Sequence, residues 1–141
     1  MTATTAINNA GVFNASGTVT TPLINNSGVF NAINGPVGGA IGAFNNSGVL
    51  NLVNFQATDI FTATTYNGQG GQFAVDVNPS ASPSTQRSDI LKVTNLSGST
   101  TILINPIGAA GLLSAPIPVI EATNVAPGTS VTIGNPPGII N

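Results

Sequence analysis

The sequence predicts an all-β chain wound as a β-solenoid, a single domain with about 17–20 residues per coil in its N-terminal half. Three observations predict it. A phrase recurs as Asn8-Asn9-Ala10-Gly11-Val12-Phe13, Asn25-Asn26-Ser27-Gly28-Val29-Phe30 and Asn45-Asn46-Ser47-Gly48-Val49-Leu50, at offsets of 17 and 20 residues. Inside it a finer period appears, with large apolar residues spaced five or six apart at Ile7, Phe13, Val19, Ile24 and Phe30, and again at Phe44 and Leu50. The polar positions are filled by Gly, Asn, Ser and Thr and only 4% of residues are charged, a composition of short strands and tight turns rather than helices. With 41% hydrophobic residues and a net charge of −2 the chain has the means to build a core, unlike a disordered segment.

Taken in order, each step of five or six residues reads as a short strand with one inward side chain, and three steps make one coil. Gly11, Gly17, Gly28, Gly42 and Gly48 stand two residues before an apolar position. There a missing β-carbon would permit the positive φ of a corner. The repeated asparagines have two readings: left-handed turn residues, the weightier of the two, or side-chain ladders running from coil to coil. Near Phe55 the phrase gives way to longer alternating runs, which divides the chain into repetitive coils over 1–58 and a continuous second part over 59–141. Residues 72–77 place Phe73, Val75 and Val77 on one face. Residues 90–94 place Leu91 and Val93 inward, and 101–104 and 117–122 complete four strands. Pro118 needs a position without a ladder amide. Residues 78–88, with Pro79 and Pro83, read as an inserted loop.

Several of these segments resemble a known family. Residues 66–77, YNGQGGQFAVDV, resemble the Y-x-G-x-G-G-x-L/F-x-V-D-V/L stretch near the C-terminus of pertactin-like autotransporter passengers. Residues 88–94 (SDILKVT), 96–105 (LSGSTTILIN) and 117–121 (IPVIE) are similar to the strands that follow it there, in the same order. Asn95 stands where the family has a glycine. The resemblance implies a right-handed parallel β-helix exported through a bacterial outer membrane, whose C-terminal autochaperone coils fold first and template the rest. The family continues beyond such coils with a linker helix and a membrane barrel, so the chain is expected to be an excised part of a longer one.

The inventory narrows the chemistry. Without His or Cys, Ser-His-Asp triads, Cys-His pairs and most zinc sites are ruled out. Residues 68–71 (GQGG) lack the lysine and helix of a phosphate loop. Two cations make no nucleic-acid face, and no apolar run is long enough to span a membrane as a helix. No catalytic, cofactor-binding or metal-ligating residue is assigned. The four carboxylates, Asp59, Asp76, Asp89 and Glu121, leave one sharper possibility, a glycosidase-like pair formed by Asp76 and Asp89. The plainer expectation is that Asp76 is a solvated strand residue, while Asp89 caps a turn or pairs with Arg87 or Lys92. The sequons at Asn14, Asn25, Asn45 and Asn95 follow from composition.

The expected function is therefore a noncatalytic structural segment of an extracellular, cell-surface passenger, forming a stalk and assisting β-helix folding. A self-assembling fibre subunit and an adhesin surface are the alternatives. The expected partners are upstream passenger coils or other copies stacked end to end.

Overall fold

The computed structural model describes residues 1–83, 86–108 and 117–134. The chain forms β1 (Ile7–Asn9), β2 (Val12–Ala15), β3 (Thr18–Asn26), β4 (Val29–Ala32), β5 (Pro36–Asn46), β6 (Val49–Asn51), β7 (Ile60–Val77), β8 (Ile90–Pro106), β9 (Ile120–Val125) and β10 (Ser130–Ile133). All the ladders between these strands are parallel, and each strand lies on its counterpart one coil away. The fold is a parallel β-helix. No helix among the described residues is long and apolar enough to cross a membrane.

Coil-to-coil register converts the sequence period into columns of inward side chains. One column runs Ile7, Ile24, Phe44, Tyr66, Leu96, Val125. A second runs Phe13, Phe30, Leu50, Phe73, Ile102, Ile133. The third face contributes Val37, Phe61, Leu91 and Ile120. In the middle coils these residues are buried, each covered above and below by its column neighbours, so burial exists only through stacking. Aromatic rings reinforce the core: Phe44 meets Phe61 of the third face edge-on at a 5.0 Å centroid distance and stacks on Tyr66 of its own column at 5.8 Å. The core therefore runs without a break across residue 58.

The strands expected over 72–77, 90–94 and 101–104 lie within β7 and β8, with Phe73, Val75, Val77, Leu91 and Val93 buried. The last expected strand starts later than the sequence suggests, at Ile120. Pro118 stays outside the ladder, where its lack of an N–H costs nothing, and its carbonyl accepts the Ser88 hydroxyl. Of the loop at 78–88, residues 84 and 85 lie outside the described residues. Its end returns to the helix through an antiparallel bridge between Ser88 and Val77.

The glycines of the phrase have a different reason from the one expected. Of Gly11, Gly17, Gly28, Gly42 and Gly48, Gly17 alone has a positive φ. Gly28 and Gly48 are needed because successive coils touch there. A β-carbon on Gly48 would sit 2.1 Å from the Gly28 carbonyl oxygen, and one on Gly28 would sit 2.1 Å from that of Gly11. Those carbonyls also accept the ladder bonds from Val49 and Val29, each at 2.8 Å, so neither can swing aside. Gly48→Ala is expected to cost about 1–3 kcal/mol through overpacking. Gly11→Ala, whose β-carbon meets nothing within 4 Å, should be close to neutral. Urea denaturation of the two variants checks this, and equal losses would refute it.

Candidate functional site

Two polar constructions stand out against the apolar columns. The first is a buried ladder. Strand alternation from Ile7, Ile24 and Phe44 turns Asn9, Asn26 and Asn46 inward, and all three are buried. Asn9 Nδ2 donates to Asn26 Oδ1 at 2.8 Å, and Asn26 Nδ2 to Asn46 Oδ1 at 3.0 Å. Asn46 Nδ2 then donates to the Tyr66 hydroxyl at 2.8 Å. The second proton of each amide meets a main-chain carbonyl of the next coil, of Val29, Val49 and Gln72 respectively. Gly68 occupies the next position in the asparagine column, and the Tyr66 hydroxyl closes the ladder there. Burial pushes the Tyr66 phenol up, outweighing its hydrogen bonds.

Outward-facing ladders run beside it. Asn45 Nδ2 donates to Asn25 Oδ1 and Asn25 Nδ2 to Asn8 Oδ1, both at 2.9 Å. Asn51 donates to Asn31 at 2.9 Å and Asn31 to Asn14 at 2.8 Å. The asparagines of the phrase are thus ladder residues, and the turn reading does not hold for them: among the described residues the one asparagine with a positive φ is Asn34. Three of the sequon asparagines, Asn14, Asn25 and Asn45, have their side-chain amides in these ladders.

The second construction is an aspartate corner. Asp59, Asp76 and Asp89 are 1%, 0% and 0% exposed. Asp89 accepts the Asp59 N–H at 2.9 Å on Oδ1 and the Asp76 N–H at 2.8 Å on Oδ2. One carboxylate thereby ties the start of β7 to its end. Asp76 Oδ2 accepts the amides of Asn54 at 2.8 Å and Gln56 at 3.2 Å, and Asn105 Nδ2 donates to its Oδ1. Asp59 Oδ1 accepts Gly35 N–H at 2.7 Å, while its Oδ2 is buried with no partner among the described residues. Burial is the main cause that pushes Asp89 up to about 7, with the Asp59 and Asp76 charges adding to it against two backbone N–H donors. Asp59 is raised for the same leading reason.

The corner corrects the expectation for Asp76 and narrows that for Asp89. Asp76 is not solvated, because the segment around Asn54 and Gln56 covers its side of β7. Asp89 does cap backbone, but it pairs with neither Arg87 nor Lys92; Arg87 donates through Nε to the Ala81 carbonyl at 3.0 Å. Asp76 and Asp89 do come together. Yet their oxygens are committed to protein donors and shielded from solvent, which leaves no face for a sugar or an attacking water. Glu121 lies apart and exposed on β9, where it pairs in register with Lys92. Among the described residues no group of three or more His, Cys, Asp or Glu is placed to hold a metal ion. What the arrangement does chemically is terminate backbone donors at corners where no neighbouring strand supplies a carbonyl.

Compared with family models, curated proteins and solved structures, the chain matches none.

Proposed function

We propose that this chain is a noncatalytic structural segment of a surface-displayed, passenger-like protein, a stalk of stacked coils in which the long-stranded coils lead the folding. The observation that carries the reading is the contrast between the two halves. β7 and β8 run for 18 and 17 residues and pair in register from Ile60↔Ile90 to Val77↔Pro106, with one shift at Gln69/Gly71. The N-terminal strands span 3 to 11 residues. An uninterrupted pair of coils is the best nucleus in a fold whose stability grows by adding coils to an existing edge. It coincides with the segments that resemble autochaperone strands, and that resemblance supports export to a bacterial cell surface. The aspartate corner and the buried ladder support a structural use of polar groups over a catalytic one.

Pulse-labelled hydrogen exchange during refolding of the full chain tests this. Amides of β7 and β8 are expected to gain protection before those of β1 to β6. Earlier protection of the N-terminal coils would reverse the order and remove the reading.

A further inference from the structure

A solenoid has two ends, and here both are built from the same inward columns. Among the described residues Val125 and Ile133 are the last members of their columns, 60% and 63% exposed. An apolar hollow of about 390 Å³ lies at this edge, lined by Val125 and Val131 with Leu96 and Ile102 of the coil beneath. At the N-terminal end Ile7 and Phe13 begin the same two columns, half-buried where the middle members are covered. Among the described residues β1 pairs only with β3, β2 only with β4, and β9 and β10 only with β8. Among the described residues each of these edges therefore carries no further strand, the situation in which another strand adds on.

The outer polar residues agree with the same direction of growth. In the outward ladders each Nδ2 points toward the preceding coil, so Asn8 and Asn14 present Nδ2 groups that donate to nothing among the described residues.

We propose that copies of this chain associate head to tail, the β9–β10 edge of one seating on the β1–β2 edge of the next, with Val125 over Ile7 and Ile133 over Phe13. The occupant is a second copy because the same two columns terminate at both ends in apolar residues of matching spacing. Ile7 and Phe13 are six residues apart. Val125 and Ile133 are eight apart, the surplus taken up in the turn closed by Thr129 N–H to Ala126 O at 3.2 Å. Contacts of this kind are heterologous and continue into open filaments. The low charge of the chain leaves little repulsion to oppose them. This inference goes beyond the stalk reading and is independent of export, since it needs only the two edges.

The test uses the full chain. Sedimentation velocity is expected to show association that rises with concentration, and Ile133→Lys should weaken it about tenfold or more by placing a charge in the apolar contact. The circular dichroism spectrum should not change, because Ile133 is mostly exposed. The chain has no cysteine, so an equimolar mixture of Ile133→Cys and Phe13→Cys chains should oxidise to crosslinked heterodimers. Val125→Cys with Ile7→Cys provides a second pair if Phe13→Cys loosens the first coil. A monomer at every concentration would overturn the proposal, as would an Ile133→Lys chain that associates like the wild type. Crosslinks confined to 133–133 pairs would replace it with a symmetric end-to-end contact.

Discussion

Asn46→Ala is expected to destabilise the chain by about 3–5 kcal/mol, while Asn45→Ala, one residue away, costs less than about 1 kcal/mol. The two side chains are chemically identical and both belong to ladders. Asn46 is 0% exposed and makes three bonds, to Tyr66 Oη, to Gln72 O and from Asn26 Nδ2. Truncation leaves the Asn26 amide, the tyrosine hydroxyl and a carbonyl inside the coil, and the site is too enclosed for their partners to be replaced freely by water. Each buried group left unpaired costs about 1–3 kcal/mol, and the cavity adds to that. Asn45 donates to Asn25 at 2.9 Å in a half-exposed position, where water takes over the lost bond. Since native domains are stable by only about 5–15 kcal/mol in all, the first variant should melt far below the wild type and the second close to it. Thermal and urea denaturation of the pair decide the matter. Equal losses would mean that the buried ladder is no stronger than the outer ones.

The difference between these two asparagines was open to a reading of the sequence. Ile24 inward fixes Asn25 outward and Asn26 inward by strand alternation alone. Ending each strand at its apolar residue and giving both asparagines to the turn hides that alternation. The inward columns themselves were legible, because the step of five or six residues that defines them survives from Ile7 to Leu50. The glycine role was not, since the approach of Gly48 to Gly28 O is a property of two coils in register and neither residue signals it alone. The aspartate corner was hidden for a related reason. Alternation puts Asp76 on the face opposite Phe73 and Val75, which is normally solvent, and nothing local says that the chain near Asn54 will fold across it. Asp89 could be read as a cap, but the two N–H groups that donate to it, those of Asp59 and Asp76, lie 30 and 13 residues away.

That corner yields the second large effect, a fold that weakens as the solution becomes alkaline. Asp89 is held at about 7 against an ordinary value of 3.8, and Asp59 is also raised; burial is the leading cause for both. A carboxyl whose pKa is raised by folding binds its proton more tightly in the native state. Its stabilisation is therefore complete below the ordinary value and is lost as the pH climbs through about 7. For Asp89 the shift, already net of the Asp59 and Asp76 N–H groups that favour the charged form, sets an upper limit of about 4 kcal/mol between those extremes. The charged groups facing Asp89 are Asp59 and Asp76, whereas Arg87 is turned to the Ala81 carbonyl and Lys92 is exposed. No histidine or cysteine side chain titrates in the same window. Urea titrations from about pH 5 to about pH 8 should show a falling midpoint, and Asp89→Asn should flatten that fall. The amide cannot ionise, so it trades the slope for a constant penalty, one of the two N–H donors now facing its Nδ2. A wild-type midpoint that is level or rising over this range would contradict the assignment, as would an Asp89→Asn chain that keeps the full slope. Because Asp89 ties together both ends of β7, and Asp76 and Asp59 bind the chain at Asn54, Gln56 and Gly35, the loss should begin where the short coils meet the long ones. Hydrogen exchange at about pH 8 should accordingly rise first at the amides of Gly35, Asn54, Asp59 and Asp76, before those of the column residues Phe44 and Phe73.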